Sequence, residues 1–226
     1  MVKGNKQSER TAKASSEIQH SKNNDPLESS SRPSESSSHE VTINPSPPLG
    51  REKHNKKSIR PPVLFHREYE EPQGIFSQWY ISSFTDPSTD QTYNCAERYM
   101  MHQKAVLCND ETSAASILAT PYPKDQKALC RCVANWDNAT WDAVKENVVE
   151  EGSYLKFSQN KELRDKLLMT GERELVEASA SDRVWGVGFN ANSALSRRDE
   201  WGTDLLGKCL MRARKRIKKE EERRDV

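Results

Sequence analysis

The chain has 226 residues, 34% of them hydrophobic and 31% charged, with a formal net charge of +1. A balance so near zero supplies no overall field that favours nucleic acid or a membrane surface. Five cysteines, an odd number without a CxxC pair, suit free thiols in a reducing compartment rather than a disulfide framework.

The apolar residues are unevenly spread. From Met1 to about Arg60 the chain is mostly Ser, Lys, Glu, Asn and Pro. Such a stretch cannot bury enough apolar surface to offset its conformational entropy. Residues 1–60 are therefore expected to form a disordered Ser/Lys-rich tail, 61–217 one domain, and 218–226 a charged C-terminal tail. No apolar run approaches the ~20 residues needed to span a bilayer. The N-terminus also lacks the apolar core of a secretory signal. The expectation is an intracellular protein, cytoplasmic or nuclear, with no membrane partner.

Within the domain, Phe76, Tyr80 and Phe84 suggest a strand or two before a turn at Asp86–Asp90. A helix follows Asn94, a favoured N-cap, with Glu97 three residues on completing a capping-box pattern. Shorter helices are predicted over 112–118 and 124–133, and a long one over 141–157, where Trp141, Val144, Val148 and Leu155 repeat at helical spacing. Another covers 162–169 and stops at Thr170-Gly171. Leu175–Ala178 is a short strand, and a C-terminal helix begins near Leu205. The fold class is α+β: a mainly helical single domain with a few short strands and no βαβ rhythm.

Glu97 and Lys104 are seven residues apart, so a helix puts them about 20° apart in azimuth and ~10 Å apart along its axis. That spacing suits the two ends of one ligand, and equally a cap glutamate beside a solvated lysine. Asp182 precedes Trp185-Gly186-Val187-Gly188, where glycine lets backbone approach a ligand closely. The same segment is also compatible with a turn in which Asp182 bonds its own backbone. Trp136, Trp141, Trp185 and Trp201 are core candidates, of which Trp185, in a glycine-rich loop, is the best platform for a heterocycle. There is no Gly-x-Ser-x-Gly elbow, Walker loop or His-Glu-x-x-His, so metal and nucleophilic-serine chemistry are set aside. His66 and His102 stand isolated and read as surface or satisfied histidines.

Phe76-Ser77-Gln78-Trp79-Tyr80, Glu97-x-Tyr99 with Lys104, Trp141, and Lys156–Asn160 form an ordered set of blocks. It continues through Leu167–Gly171, Leu175-Val176-Glu177, Asp182-x-x-Trp185-Gly186-x-Gly188 and Leu206-Gly207-x-x-Leu210-Met211-x-x-Arg214. From Phe76 to Arg214 the chain thus resembles the NADAR superfamily, and within it the YbiA-like N-glycosidases that hydrolyse riboflavin-biosynthesis intermediates. The resemblance implies a catalytic Glu97 and Asp182 and a functional tryptophan at Trp141, with neighbouring Trp136 as the other choice. It implies substrate contacts from Lys104, Trp185, Tyr99 and Gly186; no metal or cofactor is expected. Arg98, Met101, Gln78 and Asp204 depart from the histidine, glutamine and asparagines common at those positions.

The implied activity is hydrolysis of the ribosyl C–N bond of a small phosphoribosylated heterocycle. Removal of ADP-ribose from a nucleobase, and non-catalytic binding of ADP-ribose or NAD, are the alternatives. Nucleic acid is expected only as an ADP-ribosylated substrate. The basic run Arg212–Lys219, the feature that would support another role, is followed at once by Glu220-Glu221-Glu222 and reads as a solvated helix end.

Overall fold

Capping chemistry sets where most of the helices begin. The structure is a computed structural model that describes residues 60–224; the Ser/Lys-rich segment up to position 59 lies outside the described residues. Among the described residues the strands are β1 (Val63–Phe65), β2 (Phe84–Asp86), β3 (Gln91–Tyr93) and β4 (Leu175–Glu177). The helices are α1 (Ala96–Leu107), α2 (Glu111–Ala119), α3 (Pro123–Leu129), α4 (Asn138–Gln159), α5 (Lys161–Met169), α6 (Ala191–Ala194) and α7 (Leu205–Arg224). Asp110 caps α2 by accepting from the Ser113 N–H at 2.9 Å, and Asp137 caps α4 by accepting from Thr140 at 2.8 Å. Pro123 opens α3, where its missing N–H costs nothing.

Three expectations differ in detail. α1 is capped by Cys95, whose Sγ accepts from the Arg98 N–H, not by Asn94. The reason is Gln126, which is wholly buried and needs partners. It recruits Asn94 Oδ1 and the Thr120 carbonyl, while Asn94 itself donates to the Pro121 carbonyl at 2.7 Å. Phe76 and Tyr80 are not in a strand. Phe76 ends a 3-10 turn, Gln73–Phe76, and only Phe84 starts β2. Their spacing of four residues is not the two-residue period of a strand. Finally, the charged segment from 218 is helical to Arg224, because Arg164 pairs with Glu221, Arg216 with Glu220, and Tyr154 Oη donates to Glu220.

β1 and β4 pair in parallel, with Val63 opposite Leu175, Leu64 opposite Val176 and Phe65 opposite Glu177. Strand alternation sends Val63, Phe65 and Leu175 into the main core, among Ile75, Phe76, Phe157 and Leu210. Leu64 and Val176 face the other way, onto Val187, Ala194 and Trp201. The Phe65, Phe76 and Phe157 rings follow one another at centroid separations of 5.6 and 6.0 Å. Each such ring fully buried contributes about 1.5–3 kcal/mol. β2 and β3 form a separate antiparallel hairpin, which with Tyr99 and Leu155 makes a second cluster.

Two buried basic side chains pin these layers. Arg214 donates to Thr170 Oγ1 at 2.6 Å and to the Arg173 carbonyl, tying α7 to the turn after α5. Lys156 of α4 has 1% of its surface exposed and donates to the carbonyls of Ile75 and Ser77 at 2.7 and 2.9 Å. Among the described residues no carboxylate lies within salt-bridge distance of it, and burial lowers its amine to about 7. A neutral amine still supplies two N–H donors, one for each carbonyl.

That lysine leaves a pH signature. Its unfolded pKa is about 10.4, so between about pH 10 and pH 7 the unfolded chain holds more of this proton than the folded one. Stability contributed at this position is therefore lost as pH falls through that window. Urea unfolding followed by circular dichroism should show wild type gaining on Lys156→Met as pH rises from about 7 to about 10. A difference that stays constant with pH would mean that the ammonium is not desolvated.

Candidate active site

The carboxyl ends of β1 and β4 point into one cleft, and α1, α3 and the N-terminus of α7 close its other sides. Its volume is about 880 Å³, and its lining includes His66, Gln78, Glu97, Lys104, Trp136, Glu177, Asp182 and Trp185. Two carboxylates singled out in the sequence, 85 positions apart, are thus on one cavity with an indole beside them.

Glu97 forms the floor. It is the second residue of α1, where the helix dipole favours an anion. Its own N–H donates to the Gln78 carbonyl at 3.0 Å. The residue is only 4% exposed, and its Oε1 has no hydrogen-bond partner among the described residues. Burial holds the carboxyl above the usual carboxylate range; Lys127, Lys104 and the Trp79 indole oppose the rise, and Asp182 adds to it. An acceptor left bare in a cavity floor is costly unless a ligand or water meets it.

Lys104 lies on the same face of α1, as the spacing required. Its ammonium does not reach into open solvent: it sits 4.7 Å from the Trp141 ring centroid and 5.2 Å from that of Trp136. Burial lowers its pKa, with Cys130 and Glu97 acting in the opposite direction. The two tryptophans differ in what they do. Trp141 is 6% exposed and backs Lys104 from within the core, whereas Trp136 is on the cleft wall. Trp136, not Trp141, is therefore the indole of this pair placed to touch a ligand.

Asp182 has a structural duty as well as an open face. Its Oδ1 accepts from the N–H groups of Val184 and Trp185 at 2.9 and 2.8 Å, closing the turn that carries Trp185. The carbonyls of Val184 and Trp185 in turn accept from Leu205 and Leu206, the first two residues of α7. Those N–H groups would otherwise be orphaned. Gly186 does not line the cleft. A Cβ there would come within 2.7 Å of the Glu177 carbonyl oxygen and 3.0 Å of its Cγ, so this glycine lets the loop lie on β4 and brings Asp182 towards Glu177. Tyr99 does not reach the cleft either. Its ring is buried between Phe84 and Tyr93, edge-on to the latter at 5.0 Å, and it covers Gly152. Residue 99 follows Glu97 by two, and two positions along a helix are about 200° round it; Tyr99 faces away from the floor.

Sequence reasoning missed one polar group of the cleft and a second that supports it from behind. Glu177 ends β4, is 7% exposed, and meets His66 Nδ1 at 2.6 Å through Oε1. Burial raises its carboxyl, His66 opposes that, and Asp182 adds to it. A carboxylate closing an otherwise apolar parallel strand was the available signal, since such strands are normally apolar throughout. The second is Asp204, buried at the start of α7, whose Oδ1 accepts from the Glu177 N–H at 3.1 Å. Burial pushes its carboxyl up to about 7 against the Glu177 and Gly207 N–H groups. It accepts backbone donors as an asparagine carbonyl would.

Both signs of charge share the cleft. Glu97, Glu177 and Asp182 line it together with Lys124, Lys127 and Arg131, and Lys127 is near enough to Glu97 to oppose the rise of its carboxyl. The basic run on α7 takes no part. Arg212 pairs with Glu146 and Glu150, Arg216 with Glu151, and Lys218 with Glu172. No described helix is long and apolar enough to cross a membrane.

Comparison with known proteins places these features. The NADAR domain family matches residues 64–218. An N-glycosidase of Acanthamoeba polyphaga mimivirus is 40% identical over 159 residues, covering 67% of this chain and 94% of its own. An N-glycosidase of Nostoc punctiforme is 33% identical over 69% of this chain and 92% of its own. The NMR structure of the E. coli protein YbiA superposes with a TM-score of 0.59 at 25% identity, over 71% of this chain and 87% of that one.

The two roles of Asp182 separate by substitution. Asp182→Asn keeps an oxygen acceptor for the Val184 and Trp185 N–H groups, so thermal unfolding should stay close to wild type. Asp182→Ala removes it and should cost about 1 kcal/mol, the usual worth of such a cap. Equal losses from both would show that the charge, not the acceptor, holds the loop.

Proposed function

The chain belongs to the NADAR domain family and is a hydrolase of N-glycosyl bonds, and on that premise we propose that it cleaves the C1′–N bond of a phosphoribosylated heterocycle. Intermediates of riboflavin biosynthesis are the substrates the sequence resemblance favours. The observation that carries the reading is Glu97: a buried carboxylate with a bare oxygen in a cleft that Lys124, Lys127 and Arg131 also line.

Breaking a ribosyl C–N bond develops positive charge on C1′ and the ring oxygen, as in other glycoside hydrolysis. A carboxylate fixed beneath C1′ stabilises that charge more than it stabilises the neutral ground state, which is the condition for acceleration. The burial of Glu97 and its seat on α1 support this role. Asp182, on the adjacent wall, is the second carboxylate. One of the pair takes a proton from water as it attacks C1′ while the other faces the cation. Lys127, Lys124 and Arg131 suit the 5′-phosphate. Trp136, Trp185 and Trp79 offer flat faces for the leaving heterocycle.

A second reading has its own support. A cleft of about 880 Å³ is near the upper end of the usual ligand range of about 300–1,000 Å³ and admits a whole ADP-ribosyl group. The same cation-stabilising floor would release ADP-ribose from a nucleobase. A third, binding of ADP-ribose or NAD without turnover, leaves the desolvated Glu97 unexplained.

Purified protein should release free base or amine from a ribosyl-aminopyrimidine phosphate, read by chromatography, in parallel with ADP-ribosylated guanosine. Glu97→Gln should lower kcat by about 100-fold, the ~3 kcal/mol typical of one preorganised charge-stabilising group, with an unchanged circular dichroism spectrum. Undiminished turnover by folded Glu97→Gln would remove Glu97 from the mechanism.

A further inference from the structure

The two carboxylates assigned above supply charge stabilisation and a base, but neither supplies a proton to the departing nitrogen. An exocyclic amine leaves poorly as an anion, so hydrolysis of such a bond needs an acid on the leaving-group side. The cleft contains one group built for that, and the sequence had marked it as isolated.

His66 is the first residue beyond β1. The register that sets Phe65 opposite Glu177 brings residues 111 positions apart side by side, and His66 Nδ1 meets Glu177 Oε1 at 2.6 Å. Glu177 is itself held on both sides. Its N–H donates to Asp204 Oδ1 at 3.1 Å, and its carbonyl accepts from the Val187 N–H at 3.0 Å. With Nδ1 occupied, Nε2 is the ring nitrogen left for a ligand. His66 lines the same cleft as Glu97 and Asp182 and is only half-buried. A carboxylate on one imidazole nitrogen fixes the tautomer and orients the other nitrogen, the arrangement that makes histidine an effective proton donor or acceptor.

We propose that His66, oriented by Glu177, is the catalytic acid that protonates the leaving nitrogen; this rests on the N-glycosidase reading of the cleft. In the imidazolium form Nδ1–H donates to Glu177 and Nε2–H to the substrate nitrogen. As the C1′–N bond breaks, its electron pair goes to nitrogen, which takes the Nε2 proton. Water forms the new C1′–O bond and gives a proton to Glu97 or Asp182. The products are the free sugar phosphate and a neutral amine. Return of that proton to His66 through solvent restores the enzyme, so nothing is oxidised or reduced. Glu177 is a positioning residue in this scheme: it keeps its place on the ring and does not touch substrate.

The test varies the leaving group. Ribosyl 5′-phosphates are prepared with leaving groups running from an exocyclic aminopyrimidine amine to a pyridinium base, which departs neutral and needs no proton. For His66→Gln the loss in kcat should be about 100-fold at the amine end, in the range of general acid catalysis, and should fade to within a few-fold at the pyridinium end. Glu177→Gln should give a smaller loss with the same dependence on leaving group. Added imidazole should restore amine release to His66→Gly. Glu97→Gln should be impaired across the whole series.

Equal losses for His66→Gln at both ends, no loss at either, or failure of imidazole to restore His66→Gly would overturn the assignment. In those cases Glu97→Gln would remain impaired and the N-glycosidase reading would stand. Wild-type protein inert towards every member would end both.

Discussion

The parallel pairing of β1 with β4 is the joint on which the site depends. It is only three residues long on each side, too short to be stable as an isolated ladder. Its permanence comes from burial on both faces, Val63, Phe65 and Leu175 in the main core and Leu64 and Val176 in a second one. Because the strands run parallel, both chains leave at the same end. That end carries His66 to Glu68 from β1 and Glu177 to Asp182 from β4, and it opens on the cleft. A shift of one residue would turn Glu177 away from the cleft and place Val176 there.

The cleft is bordered by groups whose hydration has been stripped in a graded way. Glu97 is enclosed and has an unmatched oxygen, Glu177 is enclosed and matched by His66, and Asp182 is half-buried with one oxygen committed to its own loop. Carboxylates sharing one cavity repel, and the repulsion appears in the rise that Asp182 imposes on both Glu97 and Glu177. Lys104 and Lys127 offset part of it at Glu97. Such a field is unfavourable in the empty protein and favourable once a cation develops within it, which is what breaking a glycosidic C–N bond produces.

Much of the α1 face was legible. Seven residues along a helix return to nearly the same azimuth, so Glu97 and Lys104 share a face whatever surrounds them. The same rule, applied to Tyr99, turns it towards the hairpin and away from the cleft. Gly186 reads correctly as a residue that permits close approach, but what approaches it is the backbone of Glu177 and not a ligand. For Trp136 and Trp141, five positions apart, no periodicity distinguishes wall from core. Trp136 stands in the loop ahead of α4, and Trp141 lies inside the helix, facing α1.

The sequence alone determined a mainly helical α+β domain, the boundaries of α1 and α4 to within a few residues, and membership in a set of ordered motifs. These depend on local periodicity and on short-range capping, which are written in neighbouring residues. Tertiary structure alone decided that His66 and Glu177 touch, that Lys156 spans α4 to the 3-10 turn by bonding two backbone carbonyls, and that Trp136 faces the cavity. Each is a contact between residues far apart in the chain or a choice between equivalent side chains, and it is fixed by how buried polar groups find partners when the core closes.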